Sequence, residues 1–135
     1  MEYYLAGEPY YLPAGYAAIE KEYDEAGRVI VERYYNGDGE KMARTEGYDE
    51  LHQAYNEQNK VSRMEYYLAG EPYYLPAGYA AIEREYDEAG RVIIERYYNG
   101  DGEQSARKEG YDELHQAYNE QNKVSRMEYY LAGDY

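Results

Sequence analysis

Residues 1–63 and 64–126 align without a gap and differ at only five positions, Lys21/Arg84, Val31/Ile94, Lys41/Gln104, Met42/Ser105 and Thr45/Lys108. A third copy begins at Met127. A chain that repeats itself must solve the same packing problem in every copy, which restricts it to stacked arrays and solenoids in which no unit buries its apolar face alone. Each copy also contains a weaker half-repeat. Gly15-Tyr16, Gly47-Tyr48, Gly78-Tyr79 and Gly110-Tyr111 stand 32, 31 and 32 residues apart, and Tyr-Asp-Glu or Tyr-Asn-Glu follows each at the same offset. The elementary unit is therefore about 31–32 residues. It divides the chain into a partial unit at 1–14, units at 15–46, 47–77 and 78–109, and a truncated unit at 110–135, together one elongated repeat domain. Neither end carries the atypical polar unit that caps such arrays, so the chain reads as part of a longer array or as an array with partial end units. Open strand edges or terminal units are then available for self-association.

The turns set the local structure. Asp24-Glu25-Ala26-Gly27 begins as an acidic type I turn and offers glycine for a left-handed position, the arrangement of a short hairpin with a bulge. In the second half-repeat Asn56-Glu57-Gln58-Asn59 replaces that glycine with asparagine, the residue that best tolerates the same conformation. Asp24, Gly27, Asn56, Asn59, Asp87, Gly90, Asn119 and Asn122 are thus expected to be structural turn residues. Val29–Tyr35 has strand composition, whereas residues 16–23 would suit a helix by propensity alone. Residues 49–55 show helical spacing through Tyr48, Leu51 and Tyr55, but their alignment with 16–23 favours strand. Short helices alternating with hairpins are the alternative. The expected fold is all-β, a tandem β-hairpin array forming an elongated antiparallel sheet or hairpin solenoid.

Folding the hairpin about residues 24–27 places Lys21 opposite Val31 and Ile19 opposite Arg33. One face then carries Ala17, Ile19, Lys21, Tyr23, Val29, Val31, Arg33 and Tyr35 and is expected to be buried. The other carries Tyr16, Ala18, Glu20, Glu22, Ile30, Glu32 and Tyr34 and is expected to be partly solvated.

The chain has 23 Tyr and neither Phe nor Trp, so its rings are expected to have one apolar side and one hydrogen-bonded or wet end. The tyrosine rows, Tyr16, Tyr34, Tyr48 and Tyr66 with Tyr79, Tyr97, Tyr111 and Tyr129, are the best candidates for stacking on sugars or peptides; otherwise they pack neighbouring units together. Lys plus Arg number 14 against 28 Asp plus Glu, a net charge of -14, which repels phosphate backbones and argues against nucleic-acid binding. There is no cysteine, so neither disulfides nor thiolate chemistry arise. No stretch approaches the roughly 20 apolar residues of a helical membrane span, and membrane insertion is not expected.

The remaining candidates have bland readings. His52 and His115 occur once per copy without an evident nucleophile, and Glu20, Glu22 and Glu32 with Glu83, Glu85 and Glu95 form a multiplied acidic ladder, not one catalytic pair. Asn36-Gly37-Asp38-Gly39 lacks the length of a calcium loop and reads as a turn. No metal or cofactor is implied.

Tyr23-Asp24-Glu25-Ala26-Gly27-Arg28-Val29 and its copy at 86–92 resemble the YD repeats of large Rhs-type bacterial surface proteins. The Gly-Tyr starts, the turn glycines and the Tyr-Tyr-Asn-Gly-Asp-Gly runs at 34–39 and 97–102 are similar to the aromatic cell-wall-binding repeats of Gram-positive bacteria. Those repeats are shorter and usually contain Trp. The second resemblance matches Tyr16, Tyr34 and Tyr35, and in the next copy Tyr79, Tyr97 and Tyr98, to ring positions that box a ligand. Together these features imply a non-catalytic structural or spacer region of an exported bacterial multi-repeat protein, extracellular or at the cell surface, whose secretion signal is not in this sequence. Carbohydrate or cell-wall glycan binding is the alternative, a protein ligand is a further option, and an enzyme is the weakest reading.

Overall fold

The computed structural model describes residues 1–131; Ala132, Gly133, Asp134 and Tyr135, the end of the third copy, lie outside the described residues. Among the described residues there is no helix. The strands are β1 (Tyr4–Leu5), β2 (Glu8–Pro9), β3 (Ala18–Tyr23), β4 (Val29–Tyr35), β5 (Glu50–Tyr55), β6 (Val61–Leu68), β7 (Glu71–Pro72), β8 (Ala81–Tyr86), β9 (Val92–Tyr98), β10 (Glu113–Tyr118) and β11 (Val124–Tyr130). Four hairpins, β3/β4, β5/β6, β8/β9 and β10/β11, lie side by side in one antiparallel meander of order β11-β10-β9-β8-β6-β5-β4-β3, with β7 folded back on β6. The expected all-β hairpin array is therefore what forms, and residues 49–55 contribute a strand, not a helix.

The turns hold by the chemistry their sequence supplies. Asp24 Oδ1 accepts hydrogen bonds from the backbone N–H of Ala26 and of Arg28, both at 2.9 Å, while Gly27 takes φ 82°. In the next hairpin Asn59 adopts φ 62° in glycine's place. A bulge follows, as anticipated, yet it alters the faces. Tyr23 pairs with Val29, but Glu22 pairs with Val31, so Ile30 is the extra residue and every pair beyond it is displaced by one. Ile19 lies opposite Tyr34 and Glu20 opposite Arg33. A one-residue slip exchanges the two faces of a strand. The expected faces are accordingly corrected: Ala17 and Ile19 are buried, but with Tyr34, while Val31, Arg33 and Tyr35 lie on the opposite, open side. His52 lies opposite Glu65.

Within a hairpin six residues of each strand find cross-strand partners; between hairpins only three do, as in Val31 with His52, Glu32 with Leu51 and Arg33 with Glu50. The joints therefore need additional contacts, and the segments linking hairpins provide them. Backbone N–H groups of Thr45 and Lys108 donate to the carbonyls of Ala14 and Ala77 in the preceding linker, at 2.6 and 2.7 Å. Gly37 and Gly100 let the Asn-Gly-Asp-Gly turns approach Pro9 and Pro72, where a Cβ would stand 2.9 Å from the proline ring in each case. The core, Ile19, Tyr34, Tyr48, Leu51 and Tyr66 with Met64, Tyr73 and Leu75 packed against it, lies on one face of the sheet, where the linkers cross it.

Candidate functional site

The tyrosines that the sequence singles out do form a row. Ring centroids run from Tyr3 to Tyr16 at 6.3 Å, to Tyr34 at 5.0 Å, to Tyr48 at 5.9 Å and to Tyr66 at 4.9 Å. The second copy repeats the sequence through Tyr79, Tyr97, Tyr111 and Tyr129 at 5.1, 5.8 and 4.7 Å. Tilted and edge-on contacts at such distances are the favourable arrangements for aromatic pairs. The row is nevertheless not an exposed platform. Tyr34 and Tyr97 are 0% exposed, Tyr48 and Tyr66 are buried, and Tyr16, Tyr79 and Tyr111 are half-buried. The expectation that these rings emerge on a partly solvated face is overturned: the bulge turns Tyr34 inward and Tyr35 outward, while Tyr16 and Tyr48 stand ahead of β3 and β5, outside the strand alternation, and the row packs neighbouring units together, the alternative use of these rings. Of the row, only Tyr129 stands largely open, at 54%.

Each joint inside a 63-residue copy is sealed by an arginine that the sequence reading did not single out. The Arg44 guanidinium lies 5.8, 5.0 and 5.5 Å from the ring centres of Tyr16, Tyr34 and Tyr48, and Arg107 takes the same place among Tyr79, Tyr97 and Tyr111. Arg44 Nε donates to Glu46 at 2.6 Å and Nη1 to the Tyr34 hydroxyl at 3.2 Å, while that hydroxyl donates to Glu32 at 2.8 Å. Burial, and then the hydrogen bond to Glu32, push the Tyr34 phenol far above its ordinary pKa; Tyr97 is raised in the same way by burial and Glu95. Burial opposes the charge on Arg44, but its bonds to Tyr34 and Glu46 more than restore it. The signal was present in the alignment: Arg44 and Arg107 alternate with Leu12 and Leu75 at the equivalent position before each Gly-Tyr.

A second structure runs along the opposite edge, where the hairpin turns stack. The hydroxyls of Tyr55, Tyr86 and Tyr118 each donate at 2.6 Å to the carbonyl that opens the second strand of the preceding hairpin, Val29, Val61 and Val92. Arg28 links its own Asp24, at 2.7 Å, to Asn59 of the next turn, at 2.9 Å, and Arg91 repeats the link from Asp87 to Asn122. At these three positions the bond requires a hydroxyl, which phenylalanine lacks. The predicted turn residues thus lie along this edge, where Arg28 and Arg91 link neighbouring turns.

On the open face Tyr35 and Tyr98 donate to Glu20 and Glu83 at 2.9 and 2.8 Å, and Arg63 sits 4.7 Å from the Tyr98 ring centre. His52 and His115 each bond a neighbouring carboxylate, Glu50 and Glu113, at 2.6 Å. Glu50 also meets Lys41 and Arg33. Burial alone would raise its pKa, but His52, Lys41 and Arg33 hold it at about 2. The acidic ladder is engaged similarly: Arg33 lies between Glu20, Glu22 and Glu50. Among the described residues no group of three or more His, Asp or Glu side chains is placed to hold a metal ion, and no helix is long and apolar enough to cross a membrane. No family model and no curated protein matches the chain.

Proposed function

We propose that the chain is a non-catalytic structural repeat, a spacer that sets the distance between whatever it connects. The observation that supports this reading most directly is the use of the repeated aromatic chemistry: the ring contacts of Tyr34 with Tyr48 and of Tyr97 with Tyr111, and the hydroxyl-to-carbonyl bonds, all join one hairpin to the next. A surface built for an external ligand would leave those groups free. By its resemblance to YD and cell-wall-binding repeats, the parent protein is a bacterial, exported, multi-repeat protein. The reading is tested by adding and removing whole 63-residue copies: a spacer lengthens by the same increment per copy in small-angle scattering and gains stability with each added joint. A length that does not grow with copy number would refute it.

One observation favours a second reading, glycan binding. Grooves of about 250 and 230 Å³ recur beside the Asn-Gly-Asp-Gly turns, the first lined by Tyr4, Pro9, Glu20 and Tyr35 and the second by Tyr67, Pro72, Asn99 and Gly100. A ring beside carboxylate and amide groups matches the apolar face and hydroxyl rim of a sugar. Retention on cell-wall glycan that disappears in Tyr35→Ala would favour this reading over the spacer; absence of retention would remove it.

A further inference from the structure

We propose that copies of this chain join head to tail, the outer strand β11 of one copy taking the place of residues 1–5 beside β3 of the next, so that a single sheet runs through successive molecules. The joint already exists inside the chain. There β6 pairs with β8 through Arg63 and Glu83, Met64 and Ile82, and Glu65 and Ala81. β11 has the same sequence as β6 over its whole length, and β3 differs from β8 only by Lys21 in place of Arg84. Each molecule thus presents both halves of one interface.

At present each half is incompletely occupied. Among the described residues β11 is paired to β10 alone, and Val124, Met127 and Tyr129 are 44, 45 and 54% exposed, whereas Tyr66, which corresponds to Tyr129, is 7% exposed under β8 and its linker. On the other side, residues 1–3 lie along β3 in the manner of β6 on β8: Glu2 bridges to Ala18, the Ile19 N–H donates to the Met1 carbonyl at 2.7 Å and the Tyr3 N–H to that of Ala17 at 2.9 Å. Residues 1–5 and 127–131 are both Met-Glu-Tyr-Tyr-Leu. Exchanging one for the other keeps that ladder unchanged and would add Arg126 opposite Glu20, as Arg63 stands opposite Glu83.

What is added can be read from the internal joint. Tyr23, 57% exposed, would donate to the Val124 carbonyl as Tyr86 does to Val61 at 2.6 Å. Arg126, whose side chain is 70% exposed, would meet Glu20 and the Tyr35 ring, as Arg63 meets Glu83 at 3.2 Å and Tyr98 at 4.7 Å. Tyr129 would take the place of Tyr3 against Tyr16 and carry the ring row across the boundary. Only residues 1–7 need leave. Tyr10, which now donates to the Tyr3 carbonyl at 2.7 Å, would donate to Tyr129 as Tyr73 donates to Tyr66 at 2.8 Å. The contact is heterologous, so repeating it builds an open filament and not a closed dimer. A net charge of -14 on every copy opposes the approach and makes the assembly favoured by salt.

The chain lacks cysteine, which makes the register testable by disulfide trapping. Arg63 and Glu83 occupy a closely spaced pair of the ladder, so Arg126→Cys on one chain and Glu20→Cys on another should meet at bridging distance. Mixing the two variants under mild oxidation should give the mixed dimer well above either homodimer. Sedimentation of the unmodified chain should show mass rising with concentration and with salt, and removal of residues 1–7 should lower the concentration needed by about tenfold, since no segment then has to be displaced. Met127→Pro, which deletes an outward-facing N–H without touching the β10 ladder, should leave the far-UV spectrum unchanged and abolish the rise. A statistical mixture of disulfide dimers, a monomer mass at every concentration even without residues 1–7, or assembly of Met127→Pro equal to the parent would each overturn the proposal.

Discussion

The joint between β4 and β5 and the joint between β6 and β8 have the same three-residue pairing but different seals. The first is closed by Arg44, set among Tyr16, Tyr34 and Tyr48 and neutralised by Glu46. The second has Leu75 at the position equivalent to Arg44, Ala77 at that of Glu46, and the folded-back β7 with Tyr73 against the core. A cation over rings and an aliphatic side chain thus fill equivalent places in one row. Strand pairing defines the array, and the linker is free to solve the packing with whatever chemistry excludes water from the rings.

The two seals should fail by different amounts. Tyr34→Ala removes the fully buried ring at the centre of the arginine joint and should cost about 3–5 kcal/mol, read as a large drop in the urea midpoint. Leu75→Ala, at a half-buried aliphatic position, should cost about 1–2 kcal/mol. Equal losses would show that the rings are not the main source of cohesion.

Exchanging the seals sharpens the comparison. Arg44→Leu converts the first joint to the chemistry of the second and should cost about 1–2 kcal/mol, the contribution of a cation partly withdrawn from water over aromatic faces. Leu75→Arg should cost more, because Ala77 offers no carboxylate and a buried charge without a partner is expensive. If both exchanges prove neutral, the seals are interchangeable and the alternation along the chain has no energetic basis.

The turn edge supplies a smaller contrast. Tyr55→Phe deletes a 2.6 Å hydrogen bond to the Val29 carbonyl and should cost about 1 kcal/mol. Tyr23→Phe, at the equivalent place where the ring is exposed, should be close to neutral in the monomer, as measured by thermal unfolding.

How much of this was legible in the sequence follows from which residues carry distinctive chemistry. Asp24 and Gly27 announce a turn because few other residues make those bonds or adopt that backbone, and Asn59 in glycine's place favours hairpin over helix. The faces were not legible. Ile30 is the extra residue of the bulge, yet nothing distinguishes it from its β-branched neighbours, and Tyr34 and Tyr35 are adjacent and identical in type. The pattern therefore could not say which ring points inward, and the row assigned to solvent proved to be the core. Arg44 was hidden for another reason: its partners lie in three separate segments, a proximity that only the stacked hairpins create.

The smallest expected gain compares the two copies at the pair Lys41 and Gln104. Lys41 bonds Glu50, and Gln104 donates the corresponding bond to Glu113 at 3.2 Å without contributing charge. Gln104→Lys should therefore add about 0.5 kcal/mol at neutral pH. The sign of its pH dependence is fixed by the carboxylates. Glu50 titrates at about 2 in the folded chain, and Glu113 is lowered in the same direction by His115, Gln104 and Arg96 against the opposing effect of burial. An unfolded glutamate titrates near 4.3, roughly, so stabilisation by these groups is complete above that pH and is lost as pH falls through the folded value. The gain from Gln104→Lys should accordingly vanish toward pH 2, as should most of the difference between the parent and Lys41→Gln. A gain that persists unchanged in acid would mean that the lysine acts through its aliphatic stem and not through its charge.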